Sequence, residues 1–206
     1  MHQAVRGMRD VLPADTWRWS HLEKKLFQRL TGASYSEIRL PLMEFTELFA
    51  RGVGESTDIV EKEMYSFEDK GGEYISLRPE NTAGVCRAFI ENGLHNTTLP
   101  SRLFYYGPMF RYERPQSGRF RQFHQFGVEC IGDDSSSVDF EIIRIAWDIL
   151  SKLKFTNIEL NINSLGDPND RFLYTESLKT YFSKYLSDLP KVDKLRLESC
   201  LLYTSD

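Results

Sequence analysis

Two aromatic-rich runs joined by a short polar link constrain this chain more than any other feature. Residues 102–113 read RLFYYGPMFRYE and residues 122–131 read QFHQFGVECI. The link between them holds Pro115, Gln116, Ser117 and Gly118, which supply the backbone preferences of a hairpin loop. The pair is predicted as two antiparallel strands closed by that loop.

Side chains alternate faces along a strand, so Arg111 and Glu113 share one face of the first run. Arg121, Phe123, Gln125, Gly127 and Glu129 share one face of the second. If the pairing brings these faces together, one surface presents arginines, carboxylates, an amide and an aromatic ring. Arginine forks suit phosphate, and a phenyl ring suits stacking on a planar base. Gly127 is predicted to leave room for a ligand lying against the sheet. An antiparallel sheet with one face in water produces the same alternation, so spacing alone leaves both readings open.

The rest of the chain reads as helices and short strands. Pro13 opens a predicted helix that runs to Gly32, with Trp17, Leu22, Leu26 and Leu30 on one stripe. Residues 35–40 are a predicted strand stopped by Pro41. Residues 44–51 are a predicted short helix ended by Gly52 and Gly54. Residues 64–67 and 74–77 are predicted strands around the turn 69–72. Pro79 is predicted to start a helix that stops at Gly93. Residues 138–153 repeat apolar side chains every three or four positions, as a helix does. Ile158, Leu160 and Ile162 alternate as a strand, and a last helix is expected over 168–186. Hairpin strands mixed with helices indicate an α+β domain around an antiparallel sheet.

Composition removes several function classes. The chain has 206 residues with 26 Lys plus Arg and 30 Asp plus Glu, a net charge of −4, which is not the footprint of a basic nucleic-acid binder. Locally the balance reverses: Arg111, Arg114, Arg119 and Arg121 crowd the hairpin, and binding senses the field at the site. Cys86, Cys130 and Cys200 form no C-x-x-C pair, which argues against a disulfide framework and against zinc. The cytosol is the expected compartment. No run is long enough for a membrane span, and the first ten residues lack a signal-peptide core. His2, His21, His95 and His124 are scattered and suggest no metal site. His124 and Cys130 fall on the opposite face from Gln125 and Glu129 and are expected to be structural.

The wording of four ordered segments goes further. FRYERPQSGRFRQFHQFGVE (residues 110–129) resembles motif 2 of the class II aminoacyl-tRNA synthetases, in the variant of the histidine-specific members. RGMRD (6–10) resembles their N-terminal RGMxD. YSEIRLPLME (35–44) resembles motif 1, a dimer-interface element that includes Pro41. VEKEMYSFEDKGGEYISLRPENTAG (60–84) resembles their histidine-binding region. Asn81 stands where the family usually has Gly.

The resemblance implies a class II synthetase-like antiparallel sheet flanked by helices, over residues 1–199. It implies a histidine–tRNA ligase: histidine attacks the α-phosphate of ATP, and tRNA(His) then accepts the histidyl group. Arg111 would be the catalytic α-phosphate clamp and also border the histidine. Glu80, Asn81, Thr82, Gln125 and Glu129 would complete the histidine-binding set, with Glu129 on the imidazole. Glu113, Arg119 and Phe123 would join Arg111 in binding ATP, Phe123 by stacking on adenine. Arg114, Gln116 and Arg121 would meet the tRNA acceptor end. Mg2+ would bridge the phosphates, with no direct protein ligand assigned. A homodimer through the motif 1 region is implied.

Motif 3, the second histidine-specific segment and the anticodon-binding domain are not found, and residues 200–206 (CLLYTSD) do not continue the pattern. The expectation is a catalytic domain incomplete at its C-terminus and inactive alone. The competing reading is the histidine-sensing regulatory subunit of ATP phosphoribosyltransferase, which shares the fold.

Overall fold

The structure, a computed structural model, describes residues 2–53, 63–164, 166–190, 193–194 and 197. The chain forms two compact units, 1–156 and 157–206, a division that falls inside the single span expected from sequence.

In the first unit α1 (Pro13–Thr31) begins with Pro in its first turn, where its missing N–H costs nothing. β1 (Ser36–Glu37) follows, then β2 (Met43–Phe45) and α2 (Thr46–Val53). Glu44 and Phe45 were predicted as helix. They pair instead with Ser76 and Ile75 of β4 (Tyr74–Leu77), a tertiary partner that local periodicity does not announce. β3 (Tyr65–Glu68) completes this second sheet, in the order β2-β4-β3. Its inner hydroxyls form a chain: Ser76, fully buried, bonds Thr46 at 2.8 Å and Ser66 at 2.7 Å.

α3 (Thr82–Glu91) starts three residues later than its predicted Pro79 origin. The hairpin is β5 (Ser101–Phe110) and β6 (Gln122–Ile131), antiparallel in the register Leu103↔Glu129, Tyr105↔Gly127, Gly107↔Gln125 and Met109↔Phe123. The loop closes on paired bonds between Gln116 and Arg119, with Gly118 at φ +81°. β1 lies on the far side of β5 and runs parallel to it, so the expected antiparallel sheet is mixed at this edge.

Register sorts the hairpin into two faces. Phe104, Tyr106 and Val128 pack on Leu26 and Leu30 of α1 and on Ile145 and Ile149 of α4 (Ser136–Lys152). Leu103, Tyr105 and Met109 on the other face pack on Val85 of α3. One face of the sheet therefore carries the helical core. Among the described residues the other is covered by α3 at one end and by Arg78 at Gly107.

In the second unit, residues 158–162 form no strand, contrary to expectation. Leu160 and Ile162 are exposed, and among the described residues nothing pairs with this backbone; a strand exists only through a neighbour's hydrogen bonds. α5 (Pro168–Ser183) is set by a capping box, Asp167 accepting from Asn169 and Asp170. None of its described side chains is buried; of its predicted apolar stripe, Leu178 and Phe182 are half-buried and Phe172 and Leu186 are exposed.

Candidate histidine and nucleotide site

The start of α3 is built by carboxylates. Glu80 accepts from the backbone N–H of Thr82 at 2.5 Å and of Ala83 at 3.1 Å, two of the donors a helix N-terminus leaves free. Thr82 then donates its hydroxyl to Glu129 of β6 at 2.7 Å. Glu80 and Glu129 thus flank one hydroxyl at the helix start. Burial pushes the Glu129 carboxyl above the usual carboxylate range, and the nearby Glu80 charge adds to this, while the Thr82 bond opposes it. Among the described residues no basic side chain pairs with Glu129. Such a pocket favours a cationic or hydrogen-donating ligand.

Four residues along β6 from Glu129, Gln125 lies opposite Gly107. Its Oε1 is buried and, among the described residues, has no hydrogen-bond partner. Buried acceptors are rarely left without one, so this oxygen is able to receive a donor. Phe123 follows, with the Arg111 guanidinium 5.1 Å from its ring centroid. Arg111 donates its Nε to the carbonyl of Pro79, at 3.0 Å. Glu113 sits 3.8 Å from Arg119, and its carbonyl accepts from Arg121 Nε at 3.2 Å. The pairing continues through Arg111 and puts it on the face of Phe123, Gln125 and Glu129, whereas Glu113 lies beyond the paired strand and the Arg121 guanidinium turns to Tyr112.

The remaining expected residues fall in different places. Arg114 and Gln116 are exposed on the loop. Arg121 is not: its guanidinium lies 3.8 Å from the Tyr112 ring centroid. Asn81 is 3% exposed, with Oδ1 3.5 Å from Arg78, so it backs the site from beneath. Gly127 leaves room, but for protein: a Cβ there would overlap the phenol of Tyr105, which crosses it from β5. The ligand space predicted at Gly127 is therefore filled. His124 packs on Trp19 of α1 and stacks on Tyr106, as expected of a structural residue.

Sequence reasoning missed Arg78. It is 4% exposed and donates to the carbonyls of Pro108 at 3.0 Å, Leu40 at 3.0 Å and Pro41 at 3.3 Å. Its own carbonyl accepts from Phe110 N at 3.0 Å. Gly107 makes the slot, since a Cβ there would lie 2.6 Å from Arg78 Nη2. Arg78 thereby fixes the start of α3 against the end of β5, which carries Arg111. A charged residue between the apolar strand 74–77 and Pro79 was the available signal. A cleft of ≈ 810 Å³ between α2 and α3, lined by Phe45, Leu48, Glu80, Thr82 and Cys86 among others, opens beside the same helix start.

The chain has relatives in both sequence and fold. The family model described as histidyl-tRNA synthetase matches residues 7–166. The histidine–tRNA ligase of Halothermothrix orenii is 50% identical over 198 residues, which cover 95% of this chain and 46% of that protein. The crystal structure of apo S. aureus histidyl-tRNA synthetase has a TM-score of 0.78 at 39% identity, covering 96% of this chain and 46% of that one. A Bacillus halodurans structure described as an ATP phosphoribosyltransferase regulatory subunit/histidyl-tRNA synthetase has a TM-score of 0.69 at 25% identity, covering 96% and 54%. The chain spans about half the length of the curated relatives it matches. With motif 2 on a hairpin of the matching fold and the family match extending over most of its length, the chain belongs to the histidyl-tRNA synthetase family.

Proposed function

We propose that this chain carries the histidine-binding wall and the α-phosphate clamp of a histidine–tRNA ligase. The observation that carries the reading is the acidic pocket of Glu80, Thr82 and Glu129, which shares a sheet face with the unsatisfied Gln125 and with Arg111. Glu80 and Gln125 receive the α-amino group of histidine, with Thr82 holding Glu129 in place. Glu129 accepts from the imidazole and so selects which ring nitrogen carries the proton. Asn81 serves this wall from below through Arg78. Arg111 receives the α-phosphate when a carboxylate oxygen of histidine attacks it and pyrophosphate leaves. It is the catalytic residue, stabilising charge that grows during the step. Phe123 stacks on adenine, Glu113 borders it, and Arg119 neutralises the outer phosphates. Mg2+ would enter with ATP and offset the phosphate charge, with no protein ligand assigned to it.

In the second step the 3′ end of tRNA(His) takes the histidyl group, and the exposed Arg114 and Gln116 are placed for that end. Arg121, expected from sequence to do the same, is committed to Tyr112 and Glu113 and shapes the loop. A homodimer through the motif 1 region is supported by the exposed apolar row Met43, Phe45 and Phe67 on the β2-β4-β3 sheet beside it. The cytoplasm is the compartment consistent with its free thiols. A histidine-sensing regulatory subunit needs the acidic pocket but neither the Arg111 clamp nor the loop arginines; their presence favours the ligase.

Calorimetric titration of the 206-residue chain with L-histidine tests the pocket. Binding that weakens at least tenfold in Glu129→Gln and in Thr82→Val is expected. Equal affinity in all three proteins refutes the assignment.

A further inference from the structure

The N-terminal segment touches the loop between β5 and β6. Gly7 places its carbonyl on the outer edge of the hairpin, where it accepts from Arg121 N at 2.7 Å and from Gln122 N at 3.3 Å. Met8 N returns to Val5 O at 2.9 Å, closing a turn around this residue. Gly7 sits at φ +83°, which L side chains rarely adopt, and a Cβ there would lie 2.7 Å from Arg121 Cγ. The Arg121 stem therefore runs directly over the bare Cα of Gly7. Two residues on, the Arg9 guanidinium lies 4.3 Å from the Phe120 ring centroid.

Arg121 passes this contact on. Its carbonyl accepts from Arg111 N at 2.9 Å, its Nε donates to Glu113 O at 3.2 Å, and its guanidinium stacks on Tyr112. Both stems of the loop are thereby tied through one residue, Arg121, and its side chain rests on Gly7. None of these bonds reaches Glu80, Thr82 or Glu129.

We infer that Gly7 and Arg121 form a clamp that positions the nucleotide loop, so that residues 6–9 control ATP affinity without touching ATP. Both act as positioning residues through Arg111, Glu113 and Arg119. The consequence for ATP rests on the site reading proposed above; the clamp itself does not.

The test is Gly7→Ala in the 206-residue chain, with Arg121→Met and the double variant beside it. A methyl group at positive φ strains the backbone and displaces the Arg121 stem, which is pinned at its far end. Amide exchange across residues 111–122 is expected to quicken roughly 5- to 30-fold, with exchange across α3 unchanged. ATP affinity falls in each variant, histidine affinity stays within twofold, and the double variant is no worse than the poorer single one. Unchanged exchange at 111–122 overturns the clamp. So does equal quickening in α3, which marks general destabilisation, and so do additive losses in the double variant. If the wild-type chain binds no ATP, the site reading fails, while the exchange result still decides the clamp.

Discussion

Replacing Arg78 by Met sets two large terms against each other. Methionine keeps most of the apolar stem in its slot above Gly107 and removes the guanidinium. Three backbone carbonyls, of Leu40, Pro41 and Pro108, then lose their donor. A hydrogen bond to a charged group contributes roughly 1.5–3 kcal/mol, so two good bonds and one long one amount to about 5 kcal/mol. Against this, Arg78 is 4% exposed, no carboxylate among the described residues is bonded to its guanidinium, and burial lowers its pKa more than Tyr105 and Glu44 raise it. Removing such a charge returns a desolvation cost of order 2 kcal/mol after relaxation. The balance is a loss of about 3 kcal/mol, a large part of the roughly 5–15 kcal/mol that holds a domain together. With a urea dependence of about 2 kcal/mol per molar, the midpoint drops by roughly 1.5 M. Trp17, Trp19 and Trp147 all lie in the first unit, so tryptophan fluorescence follows its unfolding without the second. Arg78→Lys, which keeps a charge and some donors, falls between. A midpoint for Arg78→Met at or above wild type refutes the reasoning, because it means that desolvation outweighs the carbonyl bonds.

Other substitutions test other links. Gly127→Ala forces the Tyr105 phenol out of its place against β6 and is expected to cost about 1–3 kcal/mol, read as a urea midpoint; a neutral result contradicts the tight crossing. Glu129→Gln is expected to raise stability at pH 7 while removing histidine binding. The native carboxyl titrates above its ordinary value near 4.5, so its stabilising contribution is present below pH 4.5 and lost as pH rises through the raised value. The variant and wild type should therefore converge in midpoint at pH 4 and separate at pH 7; parallel curves would show that burial does not govern this group. Arg111→Ala in a histidine-activating protein carrying this domain is expected to lower histidine-dependent ATP–pyrophosphate exchange about 10²- to 10³-fold, and a loss under fivefold removes it from the clamp role.

What the sequence disclosed, and what it did not, follows the range of the interactions. β6 was legible end to end because alternation, a polar loop before it and Gly132 after it are all local. β5 was drawn three residues too long. Arg111 still bonds across the hairpin, but Tyr112 N turns to Glu63 O at 2.6 Å, a partner 49 positions away that no local pattern marks. The start of α3 was placed at Pro79 by a sound rule. Its carbonyl is instead taken by Arg111, and Glu80 caps the helix after it. Gly127 was read as space for a ligand because a glycine reveals room without revealing what enters it. The role of Arg78 was hidden for the same reason in reverse: its charge beside Pro79 was a signal, but its three carbonyls come from segments before β2 and within β5. The site residues themselves were legible through the resemblance, whereas alternation left them undivided from a solvated face.

The order of those residues along β6 is the strongest argument that the face is a site. A solvated sheet face has no reason to sort its side chains by chemistry, since water accepts any polar sequence. Here Phe123, with Arg111 over it, comes first, then the amide Gln125, then the carboxylate Glu129 held by Thr82. The row runs from Phe123 to Glu129, six residue steps of strand, roughly 20 Å. Read along that length, it offers stacking, a cation for phosphate, an acceptor for an amine and a carboxylate for an imidazole. That is the sequence of groups in a nucleotide joined through its phosphate to histidine. The protein side of the face is equally sorted: Tyr105 fills the gap at Gly127 and Arg78 the gap at Gly107, so each open position left on the row belongs to a group with free hydrogen-bonding or stacking capacity. Substitutions at Gln125 should separate the two views. On a solvated face Gln125→Leu is neutral or stabilising and nothing else changes; on a site it also removes histidine binding, and retention of that binding would return the face to the solvent.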